Sequence, residues 1–205
     1  MKCIIDRALP VPKWLNSHAE IFRLSYDEIS HKSISGADFL IIRSKTKINQ
    51  ALVQGHSLKW VFSATSGEDH IDYESLEDTE VQCYVAKGCN AQAVCDYVCA
   101  SVAYLTQNNY LKPRSKTHVV GCGRIGKRVI HLLQYLGHQV SYTDPWVAHF
   151  EGLNSTPIEL VSKVDLVTVH VPLVIQGQFP TYHLLDQDFF LRQNTNCAFI
   201  NSARG

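Results

Sequence analysis

The sequence predicts an α/β protein whose parallel strands are covered by helices, and three observations support this class. Short apolar runs recur along the chain and are separated by longer segments, which is typical of strands buried on both faces of a parallel sheet. A glycine-rich turn, Gly121 to Gly126, stands between one such run and a helical segment. The length of 205 residues suits one large domain or two small ones.

The composition argues against several classes of protein. Lys and Arg together number 19, as do Asp and Glu, so no excess charge favours a nucleic acid or an acidic membrane as partner. No apolar run is long enough to cross a bilayer, and Asp6 interrupts the N-terminus too early for a secretion signal. We therefore expect a cytoplasmic protein with no nucleic-acid or membrane partner.

The seven cysteines form no C-x-x-C pair, so in a cytoplasmic protein we expect free thiols. Cys95 and Cys99 lie four apart in a helical stretch and share a face. No histidine or second cysteine pair stands at ligand spacing beside them, and a zinc site would need one. The sequence therefore predicts no metal site.

The first half of the chain predicts four strands and a short helix. From Asn49 to Gly55, an asparagine stands at the helix N-cap and a glycine where the helix should end. The strands are predicted at Cys3–Ile5, Asp38–Arg43, Lys59–Ser63 and Val81–Val85.

A long helix and a linker follow the first half. Apolar residues recur at three- and four-residue spacing from Ala91 to Leu105, which predicts an amphipathic helix with Asn90 as its N-cap. The segment after the helix is polar and contains Pro113, as expected of a linker. The predicted organisation is a substrate-binding domain at 1–92, an interdomain helix and linker at 93–116, and a second domain at 117–205 that is incomplete at its C-terminus.

The second half alternates strands and helices. A helix is predicted from Arg124 to Leu136, with Gly137 as its stop. Thr156 to Glu159 has the pattern of a capping box with proline at the first helical position. The strands are predicted at Thr117–Val120, Gln139–Thr143, Asp165–Val169 and Cys197–Asn201. This order is that of a doubly wound sheet whose last strand forms an apolar edge.

The glycine-rich turn lies where a dinucleotide-binding turn must be, between a strand and a helix. Gly121 permits the tight turn, Gly123 lets backbone approach a pyrophosphate, and Gly126 allows close packing of helix on strand. The helix N-terminus, at Arg124 and Ile125, offers N–H donors to phosphates.

Asp144 stands at the end of the next strand, eighteen residues after Gly126. A carboxylate there would accept hydrogen bonds from ribose hydroxyls and repel a 2′-phosphate. The sequence therefore predicts an NAD site rather than an NADP site. The alternative is a glycine-rich turn without a ligand and an aspartate that merely ends a strand.

Candidate anion-binding groups follow two strands of the first half. Arg43-Ser44-Lys45-Thr46 and Thr65-Ser66-Gly67 each come directly after an apolar strand, where α/β sheets place anionic ligands. Gly67 could present a bare backbone N–H to a carboxylate. From these residues alone, an anion site and a solvated strand end are equally supported.

Two further candidates lie at strand ends of the second half. Arg204 follows the last strand, and its guanidinium could hold a carboxylate and a carbonyl with a bidentate fork. The alternative is a surface arginine before a glycine. His170 also ends a strand, and we expect it to be structural rather than catalytic.

In these motifs the sequence resembles the NAD-dependent D-2-hydroxyacid dehydrogenases. The resemblance extends over the whole chain from Lys2, and the stretches that carry it are 43–47, 64–72, 88–91, 121–126, 144–145, 170–173 and 200–205. The glycine fingerprint is generic, whereas the combination of Arg-Ser-x-Thr, Gly-Cys-Asn-Ala and the final Arg-Gly is specific. The resemblance implies a flavodoxin-like substrate domain, a truncated Rossmann domain, NAD as cofactor and a homodimer.

The resemblance also implies an activity and site residues. The activity is oxidation of 4-phospho-D-erythronate to 2-oxo-3-hydroxy-4-phosphobutanoate, in the biosynthesis of pyridoxal 5′-phosphate. By position, Ser44, Thr65 and Gly67 would contact the phosphorylated substrate, and Arg204 would be the catalytic arginine. The cofactor contacts implied beyond the glycine-rich turn are Asp144, Val171, Ser202, Ala203 and Arg204.

Some positions depart from the family's pattern. Glu68 adds an acid beside the presumed anion site, Val171 replaces a threonine that faces the cofactor, and Ala203 replaces a thiol. Phe62-Ser63 stands where a Gly-Thr pair is usual.

Family members also use a glutamate and a histidine downstream of the Arg-Gly motif. Both positions lie beyond Gly205, so we expect weak or no turnover from the 205-residue chain alone. Two alternatives stay open at this point. One is a dehydrogenase of another hydroxyacid, such as phosphoglycerate, and the other is an inactive NAD-binding or protein-interaction module.

Overall fold

The computed structural model describes residues 1–203 and divides the chain into two compact units, Met1–Cys89 and Asn90–Gly205. Each unit contains a parallel β-sheet with hydrophobic clusters of its own. The predicted α/β class is therefore confirmed. The long helix belongs to the second unit by its contacts, whereas the sequence predicts most of it as an interdomain segment. The predicted domain limits, 1–92, 93–116 and 117–205, stay a prediction.

Five parallel strands form the sheet of the first unit. They are β1 (Lys2–Asp6), β2 (Glu20–Leu24), β3 (Phe39–Ile42), β4 (Trp60–Ser63) and β5 (Gln82–Val85). Their order across the sheet is β2-β1-β3-β4-β5, which is the predicted flavodoxin-like order. Helix α1 (Gln50–Val53) begins as predicted at Asn49, whose side chain accepts a hydrogen bond from the N–H of Leu52. Short 3₁₀ helices lie at Lys13–Ser17 and Glu74–Leu76.

Strand β2 was missed by the sequence analysis. It pairs with β1 alone, from Lys2 opposite Glu20 to Asp6 opposite Leu24. Its residues are exposed or half-buried throughout, because an edge strand is covered less completely than a central one. The continuous apolar run expected of a buried strand is therefore absent from Glu20 to Leu24.

Both faces of the first sheet are covered. Successive side chains of a strand point to opposite faces, so Ile4 packs in one cluster with Leu40 and Val61. Its neighbours Cys3 and Ile5 pack in a second cluster with Phe39 and Leu15. Burial on both faces explains why β1 and β3 are apolar almost throughout.

The second unit begins with the long helix α2 (Ala91–Gln107) and contains a four-stranded parallel sheet. The other helices are α3 (Arg124–Tyr135) and α4 (Gln187–Leu191), with a 3₁₀ helix at Ile158–Leu160. The parallel sheet contains β6 (Lys116–Val120), β7 (Gln139–Thr143), β10 (Leu166–Val169) and β11 (Ala198–Asn201). A separate antiparallel pair is formed by β8 (His149–Phe150) and β9 (Leu153–Asn154). The sheet order is β11-β10-β6-β7. The chain thus leaves β6 in one direction towards β7 and returns on its other side as β10, as in a Rossmann-type sheet.

The predicted capping box at Thr156 to Glu159 is wrong. Only a single 3₁₀ turn forms, its N-cap is Pro157, and no side chain caps it. Thr156 instead donates its backbone N–H to the Tyr142 carbonyl at 2.8 Å, and the preceding Ser155 bridges Tyr142 in parallel register. The segment therefore extends alongside β7 and leaves no room for a helical first turn.

The N-cap of α2 is Asn90, as predicted, but the Asn90 side chain makes no capping hydrogen bond.

Strand β11 lies at one edge of the sheet as far as the chain is described. Its Ile200 is buried, whereas Phe199 is 39% exposed.

In the described residues, no helix is both long enough and apolar enough to cross a membrane. The seven cysteines are free thiols, and no cluster of three potential metal ligands occurs within residues 1–203.

Candidate functional site

The turn between β6 and α3 has a geometry that glycine alone can supply. Gly121 has a φ of +96°, and a Cβ built on Gly126 would lie 1.7 Å from the carbonyl oxygen of Gly121. A Cβ on Gly121 would also approach the Val171 Cγ1 atom to 3.0 Å. Two of the three glycines are thus fixed by packing within the protein.

Gly123 differs from the other two because nothing lies within 4 Å of the Cβ that could be built there. It is the N-cap of α3, and no side chain caps this helix. The first N–H groups of a helix need partners from outside it and favour anions. The open space at Gly123 and the uncapped helix start suit a phosphate group, and Arg124 and Ile125 lie in this first helical turn.

Asp144 is tied directly to the glycine-rich turn. Its Oδ2 accepts the backbone N–H of Cys122 at 2.7 Å, and its Oδ1 accepts the N–H of Trp146 at 2.9 Å. An ionised carboxylate offers about four acceptor positions, so these two bonds leave capacity for sugar hydroxyls. The structure therefore brings the predicted acid and the predicted turn together, half-buried at the end of β7.

A cavity of about 480 Å³ opens beside Asp144, within the size range of small-molecule sites. Gly121, Asp144 and Val171 line it, together with apolar side chains. Trp146 and Phe179 also line it and contact each other edge to face, with their ring centroids 5.0 Å apart. The glycine cradle, the uncapped helix and this cavity together fit a dinucleotide such as NAD.

His170 follows β10 and contacts the end of β11. Its Nδ1 lies 2.7 Å from the Ser202 Oγ, and its buried Nε2 makes no hydrogen bond within the described residues. Burial lowers the pKa of His170 from 6.5 to about 4. A neutral imidazole of this basicity is a poor proton acceptor at neutral pH; that His170 is structural stays a prediction.

The segment after β11 is held locally. The Ser202 hydroxyl donates to the Val169 carbonyl at 3.1 Å, and Ala203 donates its N–H to the Asn201 side chain at 2.9 Å. Ser202 and Ala203 follow β11, and Val171 follows the neighbouring parallel strand β10. All three residues therefore lie at the same edge of the sheet. The predicted catalytic residue, Arg204, lies outside the described residues.

In the first unit, the candidate substrate residues follow two adjacent strands. Ile42 of β3 pairs with Ser63 of β4, so Ser44 and Thr65 each lie two residues beyond the last paired position. Both are half-buried, as is Gly67. The register therefore brings Ser44 and Thr65 to the same edge of the sheet, as the sequence analysis expected.

Arg43 does not present a free cation at this edge. Its Nε and Nη2 atoms donate to the two carboxylate oxygens of Asp6 at 3.0 and 3.1 Å. Asp6 is 1% exposed and ends β1. A buried carboxylate needs a charged partner, so this arginine stabilises the fold by pairing with Asp6.

Thr46, the last residue of the Arg43-Ser44-Lys45-Thr46 motif, is 4% exposed, and its hydroxyl makes no hydrogen bond within the described residues. Glu68, the acid beside the presumed anion site, contacts Lys87 at 3.0 Å and accepts from the Tyr73 hydroxyl at 3.3 Å. The lysine reduces the negative charge that Glu68 brings to this edge, which makes the departure from the family's pattern at position 68 compatible with an anionic ligand.

A buried hydrogen-bond chain behind Thr65 was missed by the sequence analysis. The Ser63 Oγ lies 2.9 Å from the Thr65 Oγ1 and 2.9 Å from the His70 Nε2. Asp6 was missed as well, although an acid directly after the apolar run Cys3-Ile4-Ile5 is a signal that could have found it. The pairing of Ser63 with His70 crosses a loop and has no comparable local signal.

Comparison with known families identifies the second half of the chain. Residues 104–205 match the family model described as "D-isomer specific 2-hydroxyacid dehydrogenase, NAD binding domain". This match includes the glycine-rich turn and Asp144, and it confirms the predicted cofactor class.

Comparison with whole proteins covers both units. The chain is 35% identical over 207 residues to an erythronate-4-phosphate dehydrogenase of Acinetobacter baumannii, matching all of this chain and 58% of that protein. It is 36% identical over 180 residues to the same enzyme of Wigglesworthia glossinidia brevipalpis, matching 87% of this chain and 48% of that protein. The chain thus spans about half of the length of these curated relatives.

Among solved structures, the fold is similar to that of an NAD-dependent formate dehydrogenase from Staphylococcus aureus in complex with NAD. The TM-score is 0.79 at 20% identity, over all of this chain and 74% of that one. At this identity the likeness supports the fold alone.

Proposed function

Because residues 104–205 belong to the family of D-isomer specific 2-hydroxyacid dehydrogenase NAD-binding domains, we propose that this protein is an NAD-dependent dehydrogenase that oxidises 4-phospho-D-erythronate. The observation that carries the proposal is the 2.7 Å hydrogen bond between Asp144 and the N–H of Cys122. It joins an acceptor for ribose hydroxyls to a turn shaped for a pyrophosphate.

The proposed reaction removes two electrons from the carbon that bears the 2-hydroxyl group. The C2–H hydrogen would leave as hydride, and the hydroxyl proton would pass to a general base, a histidine in the family that the sequence resembles. The product would be 2-oxo-3-hydroxy-4-phosphobutanoate. NAD, when bound, supplies the two-electron acceptor. Such a product would enter the biosynthesis of pyridoxal 5′-phosphate, as the resemblance implies.

This chain's own residues would bind and orient the reactants. We assign the pyrophosphate to the turn with Gly121, Gly123 and Gly126, and the adenosine ribose to Asp144. Val171 would lie against the cofactor, since it lines the cavity beside Asp144 and borders Gly121. Ser202, Ala203 and Arg204 would face the nicotinamide end, with the guanidinium of Arg204 orienting the substrate carboxylate.

The substrate is assigned on the first unit and on the relatives. Ser44, Thr65 and the backbone at Gly67 would bind the phosphorylated hydroxyacid, since they lie at the carboxyl edge of a parallel sheet. Both curated relatives described above carry the name erythronate-4-phosphate dehydrogenase, which favours this substrate over phosphoglycerate and disfavours an inactive module.

We further propose a cytoplasmic homodimer. Support for the compartment comes from the seven free cysteines, since thiols stay reduced in the cytosol. The dimer rests on the family resemblance.

The test is isothermal titration of the purified chain with NAD, 4-phospho-D-erythronate and 3-phosphoglycerate. We expect NAD and phosphoerythronate to bind, with phosphoglycerate weaker. Binding of NAD with no binding of either acid would contradict the substrate assignment. Tighter binding of phosphoglycerate than of phosphoerythronate would replace it with the other dehydrogenase.

A further inference from the structure

The hydrogen-bond chain in the first unit links a buried histidine to a hydroxyl group at the edge of the sheet. Its outer member is Thr65, which is half-buried. Ser63, in the middle, is 3% exposed and His70, at the inner end, is 6% exposed. The two links, Thr65 Oγ1 to Ser63 Oγ and Ser63 Oγ to His70 Nε2, are both 2.9 Å long. The accessible hydroxyl thus lies at the end of a relay that solvent barely reaches.

Each hydroxyl group has one proton to donate, so a continuous relay, in which every group donates to the next, runs in one of two directions. A serine hydroxyl donates once and accepts through its lone pairs. If the His70 Nε2 carries a proton, it donates to Ser63, Ser63 donates to Thr65, and the proton of Thr65 points outward. If the Nε2 is unprotonated, Ser63 donates to it, Thr65 can donate to Ser63, and Thr65 then offers only lone pairs to a ligand.

A phosphate or carboxylate distinguishes the two directions, because it only accepts hydrogen bonds at neutral pH. It binds to Thr65 when the threonine donates and is repelled when the threonine presents lone pairs. Hydrogen bonds in a chain also polarise one another, so a donor at the inner end strengthens the donor at the outer end.

We propose that His70 is a positioning residue for the anionic substrate: its Nε2–H group acts through Ser63 to direct the hydroxyl proton of Thr65 toward the ligand. This inference rests on the proposed function, which assigns Thr65 to the phosphorylated hydroxyacid. It adds that Ser63 and His70, which do not touch the substrate, set the direction of a hydrogen bond that does.

The first experiment observes the proton. The full chain is labelled with ¹⁵N-histidine, and nitrogen NMR spectra are recorded with and without 4-phospho-D-erythronate. The His70 signals are assigned by their loss in His70→Gln. We expect the Nε2 of His70 to be protonated in the complex. An unprotonated Nε2 in the complex would overturn the proposal.

The second experiment measures whether the relay acts through Thr65. Ser63→Ala should weaken the binding of 4-phospho-D-erythronate about fivefold, which corresponds to about 1 kcal/mol. In a Thr65→Val background the same change should have no further effect, because the two residues are coupled. Ser63→Thr keeps the hydroxyl group and should restore binding.

Matched controls separate the relay from damage to the fold. Thr79→Ala removes another half-buried hydroxyl of the same unit, one that donates to the Leu76 carbonyl at 2.8 Å, and should leave binding unchanged. The NAD affinity and the melting temperature report on folding of each variant.

The outcomes distinguish the relay from the proposed function. If Thr65→Val weakens binding but Ser63→Ala does not, or if Ser63→Ala acts equally in the Thr65→Val background, the relay is overturned and the substrate site stands. If the parent chain does not bind phosphoerythronate, the substrate assignment fails and the relay fails with it.

Discussion

At the scale of single residues, packing requires two glycines of the β6–α3 turn, Gly121 and Gly126, and leaves the third, Gly123, open. We expect Gly126→Ala to destabilise the second unit by about 3 kcal/mol or more, because the added Cβ would lie 1.7 Å from the Gly121 carbonyl oxygen. Thermal or urea unfolding measures this loss. A melting temperature equal to that of the parent would show that the turn is built differently.

Gly123→Ala provides the matched comparison. Its Cβ would meet nothing within 4 Å, so the free energy of unfolding should fall by less than about 1 kcal/mol, the cost of alanine in place of glycine at an N-cap. If backbone at Gly123 approaches a pyrophosphate, however, NAD should bind at least tenfold more weakly to this variant. Unchanged NAD affinity would remove Gly123 from the cofactor site. Calorimetric titration of NAD into the folded variant decides the question.

The ion pair of Arg43 with Asp6 supports a second prediction. Removing one partner of a buried pair leaves a charge without compensation and costs about 3–5 kcal/mol. The arginine side chain is 30% exposed, so solvent screening reduces the expected loss for Arg43→Gln to about 2 kcal/mol. Urea unfolding should show a lower midpoint at unchanged slope. In an Asp6→Asn background, Arg43→Gln should cost clearly less; an equal cost would show that packing of the arginine stem dominates.

Residue-level chemistry could be predicted where the constraint is local in sequence. The glycine spacing and Asp144 follow from the shape of one turn and one strand end, and the structure joins them at 2.7 Å between Cys122 N and Asp144 Oδ2. The link between Ser63 and His70 depends on how a loop closes after β4. No spacing rule encodes that closure, so the sequence analysis named Thr65 without the groups behind it.

At the scale of elements, His118 joins β6 to β7 through two hydroxyl groups. Its Nε2 lies 3.0 Å from the Thr143 Oγ1, and its Nδ1 lies 2.8 Å from the Ser141 Oγ. Thr143 already donates its proton to the Thr156 carbonyl at 2.5 Å, so the Nε2 must donate. Burial favours the neutral ring, in which Nδ1 accepts from the Ser141 hydroxyl, although this hydroxyl also lies 3.4 Å from the Thr117 carbonyl oxygen.

This arrangement predicts how the stability of the second unit depends on pH. Burial lowers the pKa of His118 from 6.5 to about 4. Between these two values the unfolded chain binds the proton and the folded chain does not, so stability falls as the pH falls from about 6.5 to about 4. The loss attributable to His118 should total about 3 kcal/mol. Denaturant unfolding at several pH values, with His118→Gln as the comparison, measures it. An equal pH dependence in that variant would show that other groups cause the loss.

A helix or strand could be predicted from the sequence where a single physical cause determines its pattern of apolar residues or its end. Buried strands such as β3 and β10 are apolar because both faces are covered. Helix α3 ends at Tyr135, with Leu136 as its C-cap, because Gly137 adopts a φ of +81°. Strand β2 was missed because it is an exposed edge. Helix α4 was expected only from the alternation of strands and helices and could not be given bounds, because it has five residues. The capping box failed because Thr156 pairs beside β7, a tertiary contact that overrides a local pattern.

At the scale of the whole molecule, the two units offer groups of different chemistry for ligands. The first unit has the flavodoxin-like order β2-β1-β3-β4-β5 and gathers hydroxyl groups at its carboxyl edge. The second has the order β11-β10-β6-β7 and gathers a glycine cradle, a helix N-terminus and Asp144. In both, the candidate groups follow the carboxyl ends of parallel strands, where such sheets bind ligands. This general rule is why the residues of both candidate sites could be named from the sequence.

The central claim is that the second unit binds NAD with Asp144 against the ribose. The most direct measurement is calorimetric titration of NAD and of NADP into the parent chain and into Asp144→Asn, with Asp144→Ala as a second variant. Asn keeps an acceptor oxygen for one of the two neighbouring N–H groups, that of Cys122 or that of Trp146, and removes the charge that repels a 2′-phosphate. The account predicts that the parent binds NAD at least tenfold more tightly than NADP and that both variants narrow this gap. Equal affinities of the parent for NAD and NADP, or an unchanged gap in Asp144→Asn, would contradict it.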